Sequence, residues 1–249
     1  KDVIAKMKAP NTTKSIIAAA YTAFLRWRKQ TWNPPKIEIS RKIPTIPSEG
    51  ELDMLISACG RRTAAALQIA KETGLRVGEI LRLKWSNIDF ERRLIIFNEP
   101  EKGGESRIFK VSPRLLDMLN ALPRKNERIF NTTRSSIASC LYLTRKRLAA
   151  KLKNPRFNKI TFHTFRHWRA TTLYHQTKDI LLVKETLGHK KLDTSLLYIQ
   201  LEKALYSPDS DEFYCATAKT STEAAKLIET GFEYVCTTPE GIMLFRKRK

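Results

Sequence analysis

Apolar positions recur at helical spacing along most of this chain and alternate, strand-like, in only a few short stretches. The first helical pattern runs from 13 to 32, TKSIIAAAYTAFLRWRKQTW, with basic residues gathering toward its end. The next twenty residues, NPPKIEISRKIPTIPSEGEL, carry four prolines, which hold backbone extended. They close on Ser48 with Glu51 three positions on, a pairing that caps a new helix. The break predicts a domain boundary near residue 46. Helices are then expected at 49–59 and 61–73, with a short one around Leu75, Ile80, Leu81 and Leu83. Two alternating stretches, RLIIFNEP and SRIFKVS, flank EKGGE and predict a β-hairpin with Lys102 in its turn region. Further helices are expected at 113–121, 134–152, 161–174, 178–187 and 193–205.

The period changes again at the end. EFYCATA, TSTEAAKLIETG, FEYVCTT and GIMLFRKRK read as strand, helix, strand and strand, a unit small enough that it must dock on the main body. The expected organisation is therefore a leading segment at 1–46, a main domain at 47–206 and an appendix at 207–249. The class is mostly α with a small β-hairpin or sheet (α+β).

Charge narrows the partners. Lys and Arg number 46 against 25 Asp and Glu, a formal charge of +21 that draws polyanions. No apolar run reaches the length of a membrane-spanning helix, and no long basic amphipathic helix with an aromatic face suggests a membrane surface. Nucleic acid is the better partner. The chain starts at Lys1 rather than Met and reads as part of something longer, with no visible signal peptide. Cys59, Cys140, Cys215 and Cys236 lack zinc-ligand spacing and fit a reducing intracellular setting. A Cys215–Cys236 disulfide is not expected even if their strands pair.

All four histidines, His163, His167, His175 and His189, fall between 161 and 199. His163 and Arg166 sit three apart and share a helix face, an arrangement that suits a phosphate: the guanidinium bonds two oxygens while the imidazole donates or shuttles a proton. His163 and His167 have the spacing of a zinc helix, but Thr164 and Phe165 stand where such a site keeps its glutamate, and the nearby arginine opposes a cation. His167 and His175 are expected to be structural, satisfied by backbone groups. Downstream lie LGH at 187–189 and, nine residues on, Tyr198.

Taken in order, Arg76 in TGLRVGE, Lys102 in PEKGGESR, His163 and Arg166 in HTFR, His189 in LGH and Tyr198 in SLLYI make the sequence resemble the tyrosine recombinases and integrases, over roughly 47–205. The resemblance implies that family's catalytic fold and a transesterification. Tyr198 would attack the scissile phosphorus to form a 3′-phosphotyrosyl link. Arg76 and Arg166 would hold the non-bridging oxygens, with His189 bonding one of them. Lys102 would protonate the leaving 5′-oxygen, with Lys110 as its alternative, and His163 would assist proton transfer at the tyrosine. Glu79 would orient Arg76 or a histidine, or serve only as a solvated partner on the helix surface. No cofactor, metal or ATP is implied. The partner would be double-stranded DNA at a specific recombination site, bound by a homotetramer in the synapse, in the cytoplasm on the nucleoid and away from membranes. The appendix resembles the tail of archaeal and archaeal-virus integrases, and the first helix resembles the end of the family's core-binding domain. A type IB topoisomerase and a DNA-binding relative without activity remain the alternatives.

Overall fold

The computed structural model describes residues 2–38, 43–101, 105–206 and 213–248. The chain falls into two compact units, Lys1–Thr45 and Ile46–Lys249.

In the first unit a short α1 (Asp2–Lys6) precedes α2 (Asn11–Trp27). Helix α2 stops at Trp27 and not at 32, because Lys29 turns left-handed at φ 56 and the proline pair beyond it favours extended chain. That extended segment runs back along α2: Trp32 Nε1 donates to Thr22 Oγ1 at 3.1 Å, and Asn11 Nδ2 donates to the Glu38 carbonyl at 2.9 Å.

The second unit opens with α3 (Glu49–Ser57), whose start is the expected capping box: the Glu51 amide donates to Ser48 Oγ at 3.2 Å, and the Ser48 amide to Glu51 Oε2 at 2.8 Å. Helix α4 (Arg61–Thr73) is the centre of the core, buried from Thr63 to Lys71, and its alanines at 64, 65, 66 and 70 leave room for a close neighbour. That neighbour is α8 (Phe162–Thr177). A short α5 (Val77–Arg82) leads to an antiparallel meander, β1 (Ile88–Asp89), β2 (Leu94–Phe97) and β3 (Arg107–Lys110), in that spatial order. The predicted hairpin is β2–β3, with Ile95 opposite Phe109 and Phe97 opposite Arg107. Lys102, in the loop between them, lies outside the described residues. Helices α6 (Pro113–Asn120), α7 (Arg134–Lys151), α9 (Ile180–Leu187) and α10 (Asp193–Tyr206) complete the domain, and one apolar core runs through it from Ile46 to Leu201.

The last segment forms a second sheet from β4 (Phe213–Ala218), β5 (Glu233–Thr237) and β6 (Met243–Arg248), with α11 (Ser221–Glu229) between β4 and β5 in sequence. Ala218, Ala224 and Phe245 make a small core of its own. Strand β6 lies between β4 and β5, so the strands of Cys215 and Cys236 do not pair, and both thiols are free. Among the described residues no helix is long and apolar enough to cross a membrane.

Candidate active site

Two helix ends create the site. Helix α4 terminates on Gly74 at φ +69 and α9 on Gly188 at φ +64, left-handed positions that favour glycine. A Cβ would also lie 2.8 Å from Leu187 Cδ2 at the first and 3.2 Å from the Arg107 guanidinium at the second, so both glycines admit a close neighbour as well as a turn. Arg166, from α8, takes one carbonyl at each end: Nη1 donates to Gly74 O at 2.7 Å and Nη2 to Leu187 O at 2.6 Å. The C-termini of helices carry partial negative charge, which offsets part of the cost of a guanidinium that is only 2% exposed. Burial and then the neighbouring Arg76 bring its pKa down to about 10, which leaves it charged at neutral pH.

One carboxylate serves the rest. Glu79 is fully buried and accepts from the Arg76 amide at 2.9 Å, Arg76 Nη1 at 3.2 Å, Arg107 Nη2 at 2.8 Å and the Glu101 amide at 3.2 Å. It is not a solvated surface partner. Burial alone would raise its pKa, but the Arg76 amide, the Arg107 cation and the Glu101 amide together hold it below the ordinary value. Arg107 is itself buried at the start of β3 and also donates to Leu187 O, at 3.0 Å. Two guanidiniums thus share one carboxylate while Arg166 is held by carbonyls alone, and the surplus positive charge faces a cleft of ≈ 280 Å³ whose wall includes Arg76, Glu101, Arg134, His163 and Arg166. An anion of phosphate size and charge complements it.

Tyr198 approaches from α10 and is 2% exposed. Its hydroxyl lies 3.2 Å from His167 Nδ1, and its ring lies 6.3 Å from that of His189 at an interplanar angle of 11°. His189 Nδ1 is 2.9 Å from Ser195 Oγ. The His163 and His167 rings meet edge-on at 4.4 Å. Burial pushes the phenol up to about 12 against the pull of Arg166 and Arg76. Burial likewise brings His189 down to about 3, helped first by Arg166 and Arg76, and His167 down to about 4, helped by His163 and Arg166.

The structure therefore gathers Arg76, Glu79, His163, Arg166, His189 and Tyr198 in one place. Two sequence expectations are corrected. His167 is satisfied by the Tyr198 hydroxyl rather than by backbone, and its i+4 spacing from His163 reflects ring contact along α8. His175 is held by the Glu202 carboxylate, at 2.9 Å, and stacks on Tyr206 at 3.8 Å, so it ties α8 to the helix that carries Tyr198. Lys178 joins the same carboxylate. Arg107 and Arg134 went unnoticed in sequence. Arg107 carried a usable signal: a cation on the inward side of β3, in register with the buried Phe109. Among the described residues no group of three His, Cys, Asp or Glu could hold a metal ion.

The neutral histidines make a pH prediction. Both folded values lie below the ordinary 6.5, so their contribution to stability is full above pH 6.5 and is lost as pH falls through about 4 and then about 3. After discounting for partial exposure the loss is on the order of 2 kcal/mol, or roughly 5 °C in melting temperature. Scanning fluorimetry from pH 7 to 4 should show a steeper fall for the native chain than for His189→Asn. Parallel curves would contradict a buried neutral His189.

The chain belongs to the phage integrase family, which it matches over residues 48–204. It is 27% identical over 205 residues to the putative integrase/recombinase y4qK of Sinorhizobium fredii, covering 79% of this chain and 66% of that protein. To tyrosine recombinase XerA of Saccharolobus solfataricus it is 25% identical over 203 residues, covering 80% and 67%. Among solved structures, the XerH site-specific recombinase bound to its difH substrate superposes with a TM-score of 0.61 at 22% identity, covering 83% of this chain and 68% of that one. That likeness establishes the fold. The chain spans about two thirds of the length of the two curated relatives, and 49% of a third, XerH of Campylobacter jejuni.

Proposed function

We propose that the protein is a site-specific DNA recombinase that cleaves and rejoins strands through a 3′-phosphotyrosyl intermediate on Tyr198, without metal or ATP. The observation that carries this reading is a buried phenol set beside a cleft whose arginines outnumber their carboxylate partners. A phosphodiester resists attack because it is already an anion and its alkoxide leaves poorly, so a catalyst must first neutralise charge. Arg76 and Arg166 are placed to do so. His189 would contact a non-bridging oxygen through Nε2, since its Nδ1 is occupied by Ser195. On family resemblance, Lys102 is assigned the protonation of the leaving 5′-oxygen and His163, on the cleft wall, assistance to proton transfer at the tyrosine.

Duplex DNA is the proposed partner. Beyond the charge of +21, the cleft is continued along α7 by a shallow groove that includes Arg134, Tyr142, Arg145 and His163. Helix α7, RSSIASCLYLTRKRLAAK, carries five basic residues and no carboxylate, and two of the five, Arg134 and Arg145, line that groove. In this reading 1–46 closes a core-binding domain, 47–206 is catalytic and four protomers meet in the synapse. The relatives named recombinases support the assignment.

The test begins with a duplex chosen by the protein from a random-sequence library, then nicked at successive positions across the chosen site. In EDTA, the chain should form an SDS-resistant complex with one of these nicked duplexes, and two intact copies of the site should yield exchanged products. Covalent complex without exchange would favour a topoisomerase, and DNA binding without covalent complex would favour an inactive relative.

A further inference from the structure

Tyr198 is buried, and its hydroxyl meets an imidazole. Its side chain is 2% exposed, yet attack on phosphorus requires the hydroxyl proton to leave as the new bond forms. The partner of that hydroxyl is His167 Nδ1, at 3.2 Å. We infer that His167 is the catalytic base for Tyr198, taking the phenolic proton during strand cleavage and returning it during rejoining. The inference rests on the reading of Tyr198 as nucleophile.

Two features of the surroundings fit a base. His167 is kept neutral by burial and by the adjacent His163 and Arg166, so one ring nitrogen carries a lone pair. With the ring proton on Nε2, that lone pair is on Nδ1 and faces the phenol. Of the other imidazoles, His189 Nδ1 is engaged by Ser195 Oγ. His163 touches the His167 ring and also lines the cleft.

The step balances. Tyr198 Oη forms a bond to phosphorus as the P–O5′ bond breaks, and the phenolic proton passes to His167 Nδ1. The departing 5′-oxygen takes a proton from the general acid, the place assigned to Lys102, or from water. The imidazolium forms while negative charge builds on the phosphorane, so each charge offsets the other's burial. In the reverse direction a 5′-hydroxyl attacks the phosphotyrosine, and the imidazolium protonates the phenolate as it leaves.

Single-turnover covalent trapping with the nicked duplex, at saturating protein, tests the assignment in His167→Ala and His167→Gln. Both should form the complex about 10²–10³-fold more slowly than the native chain, with DNA affinity in a gel shift unchanged within a few-fold. The decisive arm places 3,5-difluorotyrosine at position 198, a phenol acidic enough to ionise near neutral pH. It should restore most of the loss in the His167 variants while changing the native chain little. Equal losses with tyrosine and difluorotyrosine would overturn the inference and leave His167 a packing residue. So would full-rate trapping in either variant. Either of these results leaves the recombinase reading intact as long as the native chain traps DNA and Tyr198→Phe does not. Absence of trapping by the native chain would overturn both.

Discussion

Glu79→Ala is expected to destabilise the main unit by about 3–5 kcal/mol, because it leaves buried cations without their carboxylate. For a chain of this size that corresponds to a melting temperature lower by roughly 10 °C. The size of the effect follows from the geometry. Glu79 is fully buried and accepts four hydrogen bonds, two from backbone amides and two from guanidiniums. Arg107, its principal cationic partner, has 5% of its side chain exposed and cannot turn to water. Urea denaturation should therefore show a second signature: adding Arg107→Met to Glu79→Ala should recover part of the loss, since the stranded cation is removed with its partner. Additive losses would show that Arg107 does not depend on Glu79. Covalent trapping by Glu79→Ala should fall even below its melting transition, because Arg76 loses the contact that fixes it at the head of α5.

Arg166→Ala should slow covalent trapping by about 10³-fold, in line with loss of a preorganised charge at a developing anion. Arg166→Lys should remain more than about 10²-fold slow, because an ammonium cannot fork between two carbonyls and a phosphate as the guanidinium does. The fork is visible in the DNA-free protein: both terminal nitrogens are already committed to Gly74 O and Leu187 O, which fixes the plane of the group before any substrate arrives. DNA affinity should change less than tenfold in either variant, since binding is spread over many surface cations. A lysine variant that traps at the native rate would mean that Arg166 supplies only charge. One that fails to bind DNA at all would mean that its role is structural.

The helical architecture was legible because amphipathic periodicity and local caps are set by near neighbours. The Ser48–Glu51 box, the β2–β3 hairpin and the strand–helix–strand–strand ending all depend on residues a few positions apart. Strand β1 was not legible, being two residues long and defined only by its pairing with β2. The order of motifs from Arg76 to Tyr198 pointed to the site, but two of its working contacts escaped. Arg107 meets Leu187 across 80 residues, and His167 meets Tyr198 across 31. No local pattern announces either pairing. For the same reason His167 read as an ordinary structural histidine until α8 and α10 were seen side by side.

The most direct test of the account is to digest the trapped complex with nuclease and trypsin and locate the adduct by mass spectrometry. Cleavage after Lys191 and Lys203 releases LDTSLLYIQLEK, which holds Tyr198 as its one tyrosine. A nucleotide phosphate is expected on that tyrosine, and no adduct from Tyr198→Phe. An adduct on any other residue, or one that survives the substitution, would contradict it.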